Sequence, residues 1–279
     1  MFEKKFSLSF WEAVFLCLLW IMLPFLVALF VALVLIPVSG GFDQALFKFY
    51  ELLNIPLTTA FMNIFVMIIF ILLLRLRKDD VFDIKWFGNV SFSTLMGTVV
   101  MIVGLNFLLS EVTNIVNYFF PMTPYWHEVF IALQNKPTII YFIEAVLIAA
   151  IVEEFLIRGI IARGLNERFS KGFTIVVASF LFAIIHLNIW QFFSAFLAGI
   201  ILTWLFLKTE SLLLVIFAHG LYNSMPLVVT RGFKFGIPGY NEVGVNMFEG
   251  QPIQILVIAA VLFIIGFLVI KLKQKENIF

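Results

Sequence analysis

The chain has 279 residues, of which 63% are apolar and only 13% are charged, and its formal net charge is +1. Soluble domains average about 25% charged residues, so this composition excludes an ordinary water-exposed fold. It contains no basic cluster typical of nucleic-acid binding. We therefore predict an all-α fold, a polytopic transmembrane helix bundle whose main partner is membrane lipid.

Eight apolar stretches each approach the ~20 residues that cross a bilayer, which predicts about eight spans. They cover residues 10–36, 57–74, 91–110, 138–162, 172–187, 191–207, 211–229 and 253–270. The first is too long for a signal peptide and lacks a cleavage site, so we expect it to be retained. The fifth and sixth are short and closely spaced, which is also consistent with a tight helical hairpin. The single cysteine, Cys17, is expected to pack as a small apolar residue, and it excludes an intrachain disulfide.

The distribution of basic residues predicts that both termini are cytoplasmic. With eight spans, the inner side holds Lys4, Lys5, Arg75, Arg77, Lys78, Lys85, Arg163, Arg168, Lys171, Lys208, Lys271, Lys273 and Lys275. The outer side holds Lys48, Lys136, Arg231 and Lys234. Cytoplasmic loops collect Lys and Arg, so this asymmetry favours an even number of spans with the N-terminus inside.

The outer segment 111–137 is rich in aromatic residues, which is typical of the membrane interface. Its aromatic content favours an amphipathic helix over the bundle, and His127 within it is expected to face water or the interface. We divide the chain into an N-terminal region (1–137), a core (138–229) and a C-terminal region (230–279) that contains an outer loop, the last span and a cytoplasmic tail.

Ionisable residues inside a span are costly, so each one needs a reason. The fourth span contains Glu153, Glu154 and Arg158. Glu154 and Arg158 are four residues apart on one helix face and can form an ion pair. Glu153 points about 100° away from Glu154, towards another neighbour. The two carboxylates are therefore expected to have different environments, one structural and one available for chemistry.

Two histidines complete a polar set on three spans of a four-helix run. His186 follows Phe182 by four residues in the fifth span, and Asn223 follows His219 by four in the seventh. A single histidine in a span more often bonds a neighbouring helix than catalyses a reaction. Because these residues occur together on antiparallel spans, they can converge at mid-depth in one cavity.

Such a set suits hydrolysis of a peptide bond. A carboxylate and an imidazole can deprotonate a water and later protonate a leaving amine, while other polar groups bind the oxyanion. The alternative is a divalent ion, with Zn²⁺ bound by His186 and His219. No H-E-x-x-H run is present, and the spacing does not choose between metal-free and metal-assisted chemistry.

Three motifs in order carry a resemblance to a known family. Glu153, Glu154 and Arg158 match E-E-x-x-x-R, Phe182 and His186 match F-x-x-x-H, and His219 and Asn223 match H-x-x-x-N. The chain thereby resembles the CPBP (Abi) intramembrane proteases, which are related to the type II CAAX prenyl endopeptidases. The resemblance covers residues 140–229, under a third of the chain.

The resemblance implies an intramembrane endopeptidase that cleaves a membrane-associated peptide or protein. It assigns water activation to Glu153 with His186, oxyanion binding to His219 and Asn223, and support to Glu154, Arg158 and Phe182. It also implies a bacterial plasma membrane, with bacteriocin immunity or peptide processing as the role. The metal and the oligomeric state stay open.

Two other functions remain as alternatives. Intramembrane Glu and His residues also form proton relays in transporters, although no internal repeat supports a transporter fold here. A non-catalytic immunity or scaffold protein would bind a partner through its outer loops. Such a scaffold or immunity protein would keep its function when Glu153 or His219 is changed, whereas a protease or a transporter would require these residues.

Overall fold

The chain is an all-α bundle in a computed structural model, which describes residues 6–41, 43–45, 58–75, 83–241 and 250–273. Its first helices are α1 (Phe10–Ser39), α2 (Thr58–Leu74), α3 (Phe92–Phe119) and the short α4 (Pro124–Asn135). The fold class predicted from composition is confirmed. Lys4, Lys5, Arg77, Lys78, Lys48 and Lys275, which entered the charge count, lie outside the described residues.

The fourth predicted span is one continuous helix, α5, built from five consecutive segments. These are Thr138–Tyr141, Phe142–Ile148, Ala149–Glu154, Phe155–Ala162 and Arg163–Asn166, the second and fourth of which are π-helical. Local π-helical turns often occur at functional sites. Glu153 and Glu154 lie in the short α-helical segment between the two π-helical ones.

The remaining helices are α6, α7, α8 and α9. They cover Lys171–Ile184, Ile189–Thr209, Leu212–Leu227 and Ile253–Lys273, and α8 continues into a π-helical turn at Val228–Phe233. Among the described residues, five helices are long and apolar enough to cross a membrane, and two apolar helices are shorter. The count of eight spans stays a prediction.

Several predicted boundaries were wrong, and the third and fifth spans differ in ways that affect the site. The third span was predicted to end at residue 110, but α3 continues to Phe119, and its residues Glu111 and Asn114 find partners within the fold. The fifth was predicted to reach residue 187, but α6 ends at Ile184. Four residues separate α6 from α7, and the choice between two spans and a tight hairpin stays a prediction.

Side-chain caps explain where several helices begin. Ser9 accepts a hydrogen bond from the Glu12 backbone while Glu12 bonds back to Ser9, which forms a capping box at α1. Ser91, Ser170 and Ser211 cap α3, α6 and α8 in the same way as simple N-caps.

Hydrogen bonds tie chain segments together at each end of the bundle. At one end, Leu8 N–H donates to the Gly164 carbonyl at the end of α5 (2.8 Å). At the opposite end, the Trp190 indole N–H at the start of α7 donates to the Phe120 carbonyl (2.7 Å). Exposed aromatic side chains at Tyr118, Phe119 and Phe120 surround that second end. Cys17 is buried as expected, with its thiol near the Leu181 carbonyl.

Helices α3 and α9 approach each other closely at glycines. A Cβ on Gly104 would lie 2.3 Å from the Ala259 carbonyl oxygen, and a Cβ on Gly266 would lie 2.4 Å from the Gly97 carbonyl oxygen. Because lipid supplies no hydrophobic drive between helices, such close backbone contact is a main source of association in membranes. The glycines therefore hold the last helix against the rest of the bundle.

We expect Gly104→Ala to destabilise the fold. The added methyl group meets backbone rather than a flexible side chain, and overpacking typically costs about 1–3 kcal/mol. Thermal unfolding in detergent measures the loss. Gly172→Ala is the matched control, because a Cβ there meets nothing within 4 Å. Equal melting temperatures for the two variants would contradict the close packing of α3 on α9.

Candidate active site

A buried network of three side chains forms the centre of the bundle. Arg158 Nη1 donates to Glu154 Oε1 at 2.7 Å, and both side chains are fully buried. His219 Nδ1 lies 2.8 Å from the same oxygen, so α8 is tied to α5 through one carboxylate. The ion pair predicted from the i,i+4 spacing is confirmed. The contact with His219 was not predicted.

Phe182 and Gly199 complete the surroundings of Arg158. Its Nη2 donates to the Gly199 carbonyl (3.1 Å), and its guanidinium lies 4.6 Å from the centre of the Phe182 ring. The same ring meets the rings of His186 and His219 edge to face, at 5.1 and 5.6 Å. Phe182 therefore contacts the cation and both histidines, which gives a physical reason for the phenylalanine in this motif.

The hydrogen bonds determine which nitrogen of His219 carries a proton. An ionised carboxylate can only accept hydrogen bonds, and Glu154 is paired with Arg158, so His219 Nδ1 must be the donor. In neutral His219 the lone pair is then on Nε2. This nitrogen lies 3.9 Å from Oε2 of Glu153.

Glu153 and Glu154 have different environments, as the sequence predicted. The Glu154 side chain is fully buried, whereas that of Glu153 is 23% exposed. Glu153 Oε2 itself is buried and has no hydrogen-bond partner among the described residues. Two polar atoms 3.9 Å apart can share one water or substrate oxygen. The arrangement suits Glu153 and the Nε2 atom of His219 as joint acceptors for a water.

His186 lies in the turn after α6 and not inside a helix. Its Nδ1 is 2.9 Å from the Phe182 carbonyl, which can only accept, so Nδ1 carries the proton and Nε2 is left as an acceptor. The next residue, Leu187, has a left-handed φ of 54°. Non-glycine residues in this region are strained, and such strain is concentrated at functional sites. The turn therefore places His186 at a cost to local stability.

Asn223 is held by α5 through two contacts. Its side-chain Nδ2 donates to the Ala145 carbonyl at 2.8 Å, within the first π-helical segment. The Tyr141 hydroxyl donates to the Asn223 carbonyl at 3.4 Å. Asn223 and His219 both line one cavity, while the side chain of Glu153 lines another.

The larger cavity has a volume of about 550 Å³ and lies among α3, α4, α5, α7 and α8. His186, His219 and Asn223 are on its walls. α4 is the amphipathic helix expected over the bundle, and it contributes His127 and Phe130 to the lining. His127 is half-buried on the cavity wall, and the expectation that it faces water or the interface stays a prediction.

The second cavity has a volume of about 400 Å³ and lies among α1, α2, α5 and the α6–α7 turn. Its lining includes Glu153, His186, Asn63 and apolar residues of α1. The structure thus brings most of the predicted site residues to two cavities, and Glu154 and Arg158 are fully buried beside His219. Glu153, the predicted water activator, lines the smaller cavity, and His219 and Asn223, predicted to bind the oxyanion, line the larger.

The sequence did not predict a set of polar contacts at the wall of the larger cavity. The Tyr240 hydroxyl donates to Asn106 Oδ1 at 2.6 Å, and Asn106 Nδ2 donates to the Tyr222 carbonyl at 3.0 Å. Burial raises the pKa of Tyr240, which keeps its hydroxyl protonated as this donor. In the sequence, the sign of these contacts was Asn106, a polar residue within an otherwise apolar span. These bonds attach the segment after α8 to α3.

The described site offers fewer donors than a catalytic zinc ion needs. A catalytic zinc site needs three protein ligands. Within the described part of the chain, no group of three His, Cys, Asp or Glu side chains is spaced to hold a metal ion. His186 and His219, the predicted zinc ligands, are therefore not part of such a group, and neither are Glu153 and His219. As placed, the residues do not fit a three-ligand site.

Residues 135–225, about a third of the chain, match a family model described as Rce1-like, Type II CAAX prenyl endopeptidase Rce1-like. The match confirms the resemblance predicted from the three motifs, and it spans all seven motif residues. No curated protein matches the chain. No solved structure matches it either.

We expect Arg158→Met to cost about 3–5 kcal/mol of stability, because it leaves the Glu154 carboxylate buried without its main counter-charge. Chemical unfolding in detergent or bicelles measures this loss. Lys85→Met is the control, since Lys85 and Glu210 form a largely exposed pair that contributes little.

Combining Glu154→Gln with Arg158→Met should cost less than the sum of the two single variants. The double change removes both buried charges, and neighbouring residues of one network are not additive. Additive costs would contradict the coupling between these two side chains.

Proposed function

We propose, from the Rce1-like segment and the site within it, that this protein is an intramembrane endopeptidase. The observation that carries the proposal is the placement of Glu153 Oε2 3.9 Å from His219 Nε2, with His219 oriented by the buried Glu154. Two acceptors facing one point at the edge of a cavity are what activation of a water requires.

In the proposed mechanism, Glu153 and His219 Nε2 both accept hydrogen bonds from one water. Glu153 takes a proton as the water oxygen attacks the carbonyl carbon of the scissile peptide bond. The C–N bond then breaks, and the proton held by Glu153 passes to the leaving amine. No covalent bond to the protein forms, so no serine or cysteine nucleophile is needed.

The resemblance assigned oxyanion binding to His219, and the geometry favours a different division of roles. Since His219 Nδ1 donates to Glu154, neutral His219 has no N–H left for an oxyanion. His219 is instead the second acceptor for the water. His186, on the walls of both cavities, contacts the substrate between them. Asn223 keeps one N–H of its amide for the oxyanion.

The substrate proposed is a peptide or protein that already lies in the membrane. Both cavities are bounded by helices of the bundle and lined largely by apolar side chains, which suits a hydrophobic peptide segment. We place the protein in a bacterial plasma membrane with cytoplasmic termini, where bacteriocin immunity or peptide processing are the roles that the family resemblance suggests.

We expect Glu153→Gln to lower cleavage by about 10²–10⁴-fold, since loss of a general base has this effect. Purified protein is incubated with membrane-associated peptides from its host, and new termini are read by mass spectrometry. Glu128→Gln is the matched control, because Glu128 is exposed on α4 and outside both cavity linings. Melting temperatures of all variants verify folding.

Three outcomes separate the candidate functions. Cleavage by the native protein and the control, with loss in Glu153→Gln, supports the protease. Cleavage that persists in Glu153→Gln refutes the proposed role of Glu153. A pH-dependent solute flux without cleavage would identify a transporter, and partner binding unaffected by Glu153→Gln would identify a scaffold or immunity protein.

We expect a strong chelator to leave the cleavage rate unchanged within about twofold, because none of the described residues supplies a third ligand beside Glu153 and His219. The measurement compares initial rates before and after chelation and dialysis. Loss of activity that Zn²⁺ restores would contradict this expectation and establish metal-assisted chemistry.

A further inference from the structure

The groups expected to bind an oxyanion are mostly engaged elsewhere. His219 donates its Nδ1–H to Glu154, and Asn223 uses one amide hydrogen for the Ala145 carbonyl. Both bonds are short, at 2.8 Å. In peptide hydrolysis each donor to the oxyanion contributes strongly to the rate. The described site therefore has few N–H groups for the negative charge that the attacking water would create.

Gln191 supplies such groups at the right place. His186 and Gln191 are the two described residues that line both cavities. Glu153 faces the smaller cavity, whereas His219 and Asn223 face the larger. A peptide bond attacked by a water at Glu153 and held near Asn223 must lie between these groups, where Gln191 is.

Neighbouring hydrogen bonds determine the orientation of the Gln191 amide. Asn188 Oδ1 accepts from the Gln191 backbone N–H at 2.9 Å, and Asn188 Nδ2 donates to the His186 carbonyl at 2.9 Å. Since a backbone N–H only donates and a carbonyl only accepts, the Asn188 amide has one possible orientation. Its Nδ2 also contacts Gln191 Oε1 at 2.6 Å, so that atom must be the acceptor oxygen.

The Gln191 Nε2 amino group then has two N–H donors. In the part of the chain that the structure describes, no protein acceptor bonds to it. Asn188, in the turn that contains His186, thus also orients a donor amide in the first turn of α7, because Asn188 bonds to both His186 and Gln191. The left-handed residue Leu187 lies between them.

We propose that Gln191 Nε2 donates a hydrogen bond to the carbonyl oxygen of the scissile peptide bond as it becomes an oxyanion. Gln191 is then a further catalytic residue, acting together with the free N–H of Asn223. The inference rests on the proposed peptidase function. It adds a donor from the first turn of α7 that lies outside the three sequence motifs.

Gln191→Glu and Gln191→Met test the proposal in the native-length protein, with the peptide that the cleavage screen identifies as the probe. Glutamate keeps an oxygen for Asn188, whereas methionine does not, and both lack the Nε2 donor. We expect kcat to fall about 10²–10³-fold in both variants, the loss typical of one oxyanion donor, with KM changed less than about threefold. Gln254→Ala, an exposed glutamine on α9, is the matched control.

The results separate this inference from the proposed function. Native cleavage that is lost in Glu153→Gln but unchanged in well-folded Gln191→Glu and Gln191→Met overturns the role of Gln191 alone. A rise in KM with unchanged kcat also overturns it, because the bond would then be formed equally in the ground state. If the native protein cleaves nothing and Glu153→Gln alters no property, both proposals fail together.

Discussion

The site depends on one buried carboxylate that bonds to two helices. Glu154 accepts from Arg158 on its own helix and from His219 on α8, through a single oxygen. Inside a membrane an unpaired charge is very costly, so Glu154 and Arg158 must remain together, and His219 is held beside them. This contact determines the orientation of the His219 ring. Its second nitrogen then lies 3.9 Å from Oε2 of Glu153, which is the geometry on which water activation would depend.

The second constraint is the strained turn between α6 and α7. α6 is too short to cross the hydrocarbon alone, at about 21 Å for its 14 residues. The turn therefore lies within the bundle, and its residue His186 lines both cavities together with Gln191 from the first turn of α7. Tight turns of this kind can place polar groups away from bulk water, because neighbouring helices supply their hydrogen-bond partners.

The sequence predicted the fold class, the Glu154–Arg158 pair and the distinct environment of Glu153, because apolar length and helical spacing are local properties. It could not predict the contact of His219 with Glu154, which depends on how α8 packs against the partly π-helical α5. The end of α6 could not be predicted either, because the left-handed residue after it is Leu187 and not the glycine that usually marks such a position. The third span was predicted to end at residue 110, but Glu111 and Asn114 lie in the continuing α3 and bond to Gln251 and Gly239.

The central claim is that Glu154 holds His219 with its proton on Nδ1 and its lone pair on Nε2. The chain has three histidines, so ¹⁵N-histidine labelling gives few signals, which His127→Gln and His186→Gln variants assign. We expect His219 in the native protein at neutral pH to show a protonated Nδ1 and an unprotonated Nε2, and to lose this preference in Glu154→Gln. A proton on Nε2 with Nδ1 unprotonated would contradict the proposed geometry of water activation.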